Sequence, residues 1–182
     1  SWSVDAHKTL NVPYDCGLVL CRHANALTTA LAASGSYLDR GGTRNGMEMT
    51  PEMSRRARSI ELWAALKFLG RSGVAGLVMH FCALATQLRE QLEGGPYTLI
   101  NEGGFNQVLV ALDQDDQTQA ALQHLQASGR VWMSGATWRG RSVIRISISN
   151  WQTSNAHIRL LAAEMRRAAD IVMTLPAANE SP

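Results

Sequence analysis

Residues 3–17 of the chain read SVDAHKTLNVPYDCG. This polar, proline-containing stretch lies between two short runs, Trp2–Val4 and Gly17–Cys21, that have the composition of β-strands. The second run, GLVLC, is compact and apolar, which predicts a strand buried in a parallel or mixed sheet. The sequence therefore places His7 and Lys8 in a polar connection between two strands.

The dipeptide His7-Lys8 is the feature of this connection that could carry chemistry. Partial removal from water favours the neutral form of a lysine amine, which can attack a carbonyl carbon and form a Schiff base. An adjacent imidazole can donate a hydrogen bond to an anionic group such as a phosphate. Spacing alone favours a solvated loop lysine beside a surface histidine, because single loop lysines are common and mostly exposed.

Composition narrows the class of protein. The 182 residues are 46% apolar and 18% charged, and 17 basic and 15 acidic side chains leave a formal net charge of +2. This balance is typical of a globular domain and argues against a strongly basic protein, so we expect no nucleic-acid partner. Uninterrupted apolar runs stay shorter than the roughly 18 residues of a membrane span, so we expect no membrane partner.

The cysteines and histidines predict no metal site. Cys16, Cys21 and Cys82 are odd in number and match no zinc-binding spacing, and the histidines are isolated from one another. The simplest interpretation of three unpaired thiols is a reducing compartment. We therefore expect a cytoplasmic location.

The rest of the chain predicts a helical segment followed by a small α/β unit. Thr50 as a helix cap and Pro51 as the first helical residue predict a helix that runs to about Leu69. A second helix is expected over 74–92 from its 3.6-residue apolar period. Further strands are expected at 97–101, 105–112, 131–138 and 142–149, with helices at 116–127 and 153–173 and a glycine-rich loop at 34–45. We divide the chain into 1–70, a small α/β domain at 71–175 and a disordered tail at 176–182.

Four ordered segments resemble the pyridoxal-phosphate-dependent group II amino-acid decarboxylases, which act on aromatic amino acids, glutamate and diaminobutyrate. The first is a Ser/Asp/Asn-x-His-Lys motif at 5–8 with PYDCG at 13–17. The others are SRRAR at 54–58 with Leu62-Trp63, the pair Phe105-Asn106, and VIRISISN at 143–150. They follow the order of the family and together span most of residues 1–160.

This resemblance implies an α/β fold that is the C-terminal part of an aspartate-aminotransferase-like (fold type I) pyridoxal-phosphate-dependent transferase. Residues 1–70 would end the large cofactor-binding domain, and 71–175 would form the small domain. The implied reaction is decarboxylation of an L-amino acid in a homodimer.

The same resemblance assigns roles to individual residues. Lys8 would form the Schiff base with pyridoxal 5'-phosphate, and His7 would approach the cofactor phosphate. Arg145 would bind the substrate carboxylate, for which a planar guanidinium is well suited. Asp5 matches a position that is often asparagine; because its carboxylate would repel a phosphate, we do not place it against the cofactor.

Two departures from the family pattern leave other functions open. The family's groups that hold the pyridine nitrogen, the ring and the phosphate precede the lysine, and here only seven residues do, so we expect the C-terminal part of a longer chain. Many members also carry a tyrosine in the loop before the Arg-rich helix, and none lies between Arg40 and Ser54. The alternatives are another pyridoxal-phosphate reaction, such as a carbon–carbon lyase, or a non-catalytic polypeptide that completes a dimer interface.

Overall fold

The computed structural model describes residues 1–31 and 46–174 and divides the chain into two compact units, Ser1–Gly70 and Arg71–Pro182. The boundary falls inside one helix, where the backbone at Gly70 leaves helical geometry (φ 63°, ψ −176°). Glycine adopts this positive φ at little steric cost. The loop predicted at 34–45 and the tail predicted at 176–182 lie outside the described residues.

The first unit begins with a two-stranded antiparallel ribbon. Strand β1, Trp2–Asp5, pairs with β2, Gly17–Leu20, in a register that sets Asp5 opposite Gly17. Both strands were predicted, but the expectation that the second is buried in a parallel or mixed sheet is wrong. Val19 and Leu20 are about 60% exposed (62% and 59%) because β1 is the one strand that the described residues pair with β2.

A small apolar cluster lies beneath the connection between these strands. Ala6, Val12 and Cys16 are buried, and Leu18 from β2 and Leu62 pack against them. Ala6 precedes His7 in the sequence and Val12 follows Lys8. Because both are buried, the cluster anchors the connection on either side of His7 and Lys8, and Lys8 itself is exposed.

Two α-helices and a short 3-10 helix, Gly46–Glu48, complete the described part of this unit. Helix α1 spans Ala24–Leu31, and helix α2 spans Arg58–Leu92 with the break at Gly70. The predicted helix start at Thr50 and Pro51 is wrong, since α2 begins seven residues after Pro51. The intervening residues are held instead by side-chain bonds to the strand connection, which are described below.

The second unit is an antiparallel sheet covered by helices on one face. Its strand order is β3-β4-β6-β5, and all neighbouring strands are antiparallel. The predicted helices and strands are confirmed, with shorter strands than expected. The elements are β3 (Thr98–Leu99), β4 (Gln107–Ala111), α3 (Asp115–Ala127), β5 (Ser134–Trp138), β6 (Arg141–Ser147) and α4 (Asn155–Thr174).

The core of the second unit lies between the sheet and its helices. Phe81 and Leu88 from α2, Ile144 from β6 and Met165 from α4 are fully buried in one cluster. The alternation predicted for 143–148 is observed, since Ile144, Ile146 and Ile148 face this cluster. Val143, on the other face, is also buried, in a smaller cluster with Leu109 and Ala111.

Helix α2 is also the one helix of the described residues that is long and apolar enough to cross a membrane, judged by length and composition alone. This helix was not predicted as a possible span, because its apolar residues do not form one uninterrupted run. Phe81, Leu84, Leu88 and Leu92 of this helix lie in the core of the second unit, whereas most of the helix's apolar stretch is not buried in this chain. The absence of a membrane partner stays a prediction.

Candidate functional site

A tight turn after β1 carries His7 and Lys8. The Lys8 N–H donates to the Asp5 carbonyl (3.0 Å), and the Asn11 N–H donates to the Lys8 carbonyl (3.1 Å). Asn11 has a positive φ of 53°, which asparagine tolerates better than most residues, and its side-chain amide donates to the Thr9 carbonyl (3.0 Å). The turn is therefore fixed by its own backbone and by Asn11.

The His7 ring is held between a backbone segment and an aromatic ring. Its Nδ1 accepts the Cys16 N–H at 3.1 Å, and its ring centroid lies 4.2 Å from that of Tyr14. Nδ1 also lies 3.0 Å from the Cys16 carbonyl, but that oxygen already accepts the Ala6 N–H at 2.8 Å. With Nδ1 accepting the Cys16 N–H, a neutral ring carries its proton on Nε2, where it can donate to a ligand.

The Lys8 side chain forms an ion pair with Asp5. Its Nζ lies 2.5 Å from Asp5 Oδ2, and the two side chains are 63% and 47% exposed. The hydrogen bond and the charge of Lys8 lower the pKa of Asp5, with a smaller contribution from His7. One interpretation of the sequence was a partly desolvated lysine. In the structure the Lys8 side chain is instead exposed and paired with Asp5.

Arginines from the segment before α2 fasten the other end of the connection. Arg58 Nε lies 2.6 Å from Asp15 Oδ1, and Arg56 donates to the Tyr14 carbonyl at 2.8 Å. The Arg58 hydrogen bond holds the pKa of Asp15 below its usual value. Glu61 pairs with Arg56, which lowers the pKa of Glu61. Sequence reasoning missed the Asp15–Arg58 pair because its members lie 43 positions apart.

A cavity of about 660 Å³ lies on the other side of this contact, beside β2. Asp15, Arg55, Arg58 and Leu62 are among the residues that line it, whereas His7 and Lys8 are not. The cavity is therefore separate from the lysine in the described residues, and we do not assign the chemistry of Lys8 to it.

Arg145 lies in the second unit, on β6. It is exposed, pairs in register with Leu109 and Ser134, and donates from Nε to the Ser134 hydroxyl at 3.3 Å. Its position on the sheet face opposite the helices agrees with the predicted alternation. The role of Arg145 toward a substrate held at Lys8 stays a prediction, as do the roles of His7 and Lys8.

Comparison with known proteins identifies the family. The sequence model of the pyridoxal-dependent decarboxylase conserved domain matches residues 1–112, so the chain belongs to that family. The chain is 22% identical to 3,4-dihydroxyphenylacetaldehyde synthase of Aedes aegypti over 95% of its length and 34% of that protein. It is also 22% identical to aromatic-L-amino-acid decarboxylase of Sus scrofa, covering 93% of this chain and 38% of the relative.

A solved structure shows the fold. The crystal structure of Oryza sativa TDC with PLP and tryptamine superposes with a TM-score of 0.87 at 18% identity, covering 94% of this chain and 39% of that one. The predicted fold is confirmed: the chain has the α/β, fold type I architecture of pyridoxal-phosphate-dependent decarboxylases. The chain spans between a third and two fifths of the length of the relatives that it matches.

Proposed function

We propose that this chain is part of an enzyme that decarboxylates an L-amino acid with pyridoxal phosphate bound covalently at Lys8. The observation that carries the proposal is the turn at residues 5–11, which carries the exposed Lys8 amine directly after His7 in sequence, within the segment that matches the decarboxylase domain. The family's dependence on pyridoxal supports the choice of cofactor.

The described residues fit two parts of a pyridoxal-phosphate site. Lys8 is exposed and can hold the cofactor through its aldehyde carbon, and His7 can donate from Nε2 to the phosphate. When bound, the cofactor supplies a ring that accepts the electrons of the bond that breaks. In the second unit, the exposed guanidinium of Arg145 is suited to bind the substrate carboxylate through two hydrogen bonds.

The substrate is an L-amino acid, and the names of the relatives favour an aromatic one. They include tyrosine decarboxylase 2 of Narcissus pseudonarcissus and the pig decarboxylase reported above. A second candidate reaction is oxidative, in which the same class of substrate reacts with O2 and water to give an aldehyde, CO2, ammonia and hydrogen peroxide, because the relatives also include the aldehyde synthase of Aedes aegypti. This second candidate is also supported by the sequence. Many members of the family carry a tyrosine in the loop before the Arg-rich helix, and this chain has none between Arg40 and Ser54.

The test is to find which lysine binds the cofactor. The sequence contains two lysines, Lys8 and Lys67, and both are exposed. The protein is mixed with pyridoxal phosphate, reduced with borohydride and digested, and the phosphopyridoxyl group is located by mass spectrometry. We expect the group on Lys8, its loss in Lys8→Ala and its retention in the matched control Lys67→Ala. Equal labelling of the two lysines, or unchanged labelling in Lys8→Ala, contradicts the proposal.

A second experiment addresses the reaction. Release of CO2, amine and aldehyde is measured from L-tryptophan, L-tyrosine and L-glutamate, with Arg145→Lys and Arg145→Ala compared with the unmodified protein. A residue that binds the substrate carboxylate should raise KM in both variants, since lysine does not reproduce the planar fork. Amine as product supports decarboxylation, and aldehyde supports the second candidate.

We also propose a cytoplasmic homodimer. Cys16, Cys21 and Cys82 are free thiols, as in proteins of reducing compartments. Trp2 and Trp63 in the first unit are 76% and 66% exposed, and large aromatic side chains are enriched at protein interfaces. Sedimentation at micromolar concentration tests the dimer, and a compact monomer contradicts it. Cell fractionation tests the location.

A further inference from the structure

Asp5 stands three residues before the lysine, at a position that is often asparagine in the family that this chain resembles. We propose that Asp5 is a positioning residue that holds the Lys8 ammonium and thereby slows its reaction with electrophiles. The inference rests on the proposed function of Lys8 and adds a residue that controls the availability of that amine.

The geometry of the pair is set by the backbone. The hydrogen bond from the Lys8 N–H to the Asp5 carbonyl closes the turn and brings both side chains to one side, where Nζ and Oδ2 are 2.5 Å apart. Asp5 itself is fixed as the last residue of β1, opposite Gly17. The Asp5–Lys8 contact is therefore built into the strand–turn–strand segment.

Asp5 acts through its charge rather than by taking up a proton. Its pKa is held below the ordinary value mainly by Lys8, and His7 acts on it in the same direction, so the carboxylate persists at neutral pH. A carboxylate stabilises the ammonium form of a nearby lysine, and only the neutral amine is nucleophilic. Replacement by asparagine preserves size and a hydrogen-bond acceptor while it removes the charge, so Asp5→Asn isolates this effect.

The two lysines make the experiment internally controlled. The full chain is acetylated briefly with an N-hydroxysuccinimide ester at pH 7.5, and the initial rates at Lys8 and Lys67 are measured by peptide mass spectrometry. In Asp5→Asn we expect the Lys8 to Lys67 rate ratio to rise by about two- to fivefold, the range expected for loss of an exposed ion pair. Asp5→Glu should keep the ratio near the wild-type value. Asp15→Asn, which removes the carboxylate paired with Arg58, is the matched control and should also leave it unchanged.

Salt supplies a measurement that does not depend on how a variant folds. In the unmodified protein, raising NaCl from 0.02 M to 1 M should increase the ratio part of the way toward the Asp5→Asn value, because salt weakens the attraction between exposed charges. An unchanged ratio in Asp5→Asn, or an equal rise in Asp15→Asn, overturns the proposal.

The reagent needs no pyridoxal phosphate, so the outcome is independent of the cofactor experiment. An unchanged acetylation ratio with Lys8-specific cofactor labelling overturns the role of Asp5 alone. A raised Lys8 to Lys67 acetylation ratio in Asp5→Asn without cofactor labelling overturns the proposed function of Lys8. The same result supports the effect of Asp5 on the reactivity of the amine.

Discussion

The two units of the chain keep their shape by different means. Arg71–Pro182 packs a sheet and three helical segments around a cluster of 21 buried residues, whereas the described part of Ser1–Gly70 has a cluster of three, Ala6, Val12 and Cys16. The first unit carries four of the five ion pairs of the described residues, among them the Asp5–Lys8 and Asp15–Arg58 pairs.

The larger apolar core and the candidate functional residues His7 and Lys8 thus lie in different units. Buried apolar area is the dominant favourable term in folding, and exposed ion pairs contribute little. Among the described residues, the second unit therefore buries more of the apolar surface that stabilises a fold, while Lys8 and His7 lie in the unit with the smaller described core. Substitutions in the second unit should change stability strongly, and those around the lysine should act locally.

The largest expected effect tests this separation within one helix. Phe81 is fully buried and Phe68 is 89% exposed, and both belong to α2. Phe81→Ala should lower the free energy of unfolding by about 3–5 kcal/mol, because it removes apolar contacts and leaves a cavity. Phe68→Ala, the matched control, should stay within about 0.5 kcal/mol. Urea unfolding followed by circular dichroism measures both.

Similar losses in the two variants would contradict the separation. A large loss in Phe68→Ala would mean that its exposed ring is covered by an association of chains, which concentration-dependent unfolding would reveal.

The next effect concerns the small cluster under the lysine turn. Val12 is 6% exposed, and Val12→Ala removes two buried methyl groups at a cost of about 1–2 kcal/mol. Because the cluster is local, hydrogen exchange should accelerate at residues 5–17 and remain unchanged in β4 and β6. Val19→Ala, at an exposed position of β2, is the control. Faster exchange throughout the second unit would show that the two units unfold together.

How far the sequence predicts each unit follows from how each is stabilised. The helix at 74–92 and the strand at 142–149 were predictable, because their apolar residues repeat with the periods that burial on one face requires. Helix α1 was not predicted, and none of its residues is buried, so it leaves no such pattern. The wrong helix start at Thr50 has a related cause. Thr50 and Pro51 are capping signals, but the residues after them are held by side-chain bonds to residues distant in sequence, which a local pattern does not reveal.

The candidate site was predictable only in part. The resemblance assigned roles to His7 and Lys8, but the partners of their side chains depend on the turn geometry. The three-residue spacing of Asp5 and Lys8 could have suggested their pair. The Cys16 N–H that holds His7 could not have been found without the register of β1 and β2.

A smaller effect is expected at a buried hydroxyl in the second unit. Tyr97 is 4% exposed and donates to the Met165 carbonyl at 3.0 Å. Tyr97→Phe should cost about 0.5–1.5 kcal/mol near neutral pH, the usual net contribution of such a bond. Urea unfolding at pH 7 measures this loss.

The same variant has a pH signature. Burial raises the pKa of Tyr97 above the value near 10 of an unfolded tyrosine. Its contribution is therefore complete below pH 10 and is lost as the pH rises toward the folded pKa. The unmodified protein should lose stability above pH 10 more steeply than Tyr97→Phe. Identical slopes would show that Tyr97 ionises equally in both states; Tyr14→Phe, at an exposed tyrosine, is the control for alkaline titration.

The smallest effect is acid sensitivity of the first unit. The pKa values of Asp5, Asp15 and Glu61 are lowered by Lys8, Arg58 and Arg56, and all six residues lie in that unit. A lowered pKa in the folded state means that the stabilisation is present above the unfolded value, near 4, and is lost as the pH falls through the folded value. Below about pH 4, hydrogen exchange at residues 5–17, measured relative to intrinsic rates, should therefore accelerate. Exchange in β4 and β6 should accelerate only at a lower pH. Asp15→Asn should remove part of this pH dependence and Asp113→Asn, in the second unit, none of it. Loss of protection in both units at the same pH would show that these pairs do not stabilise the first unit selectively.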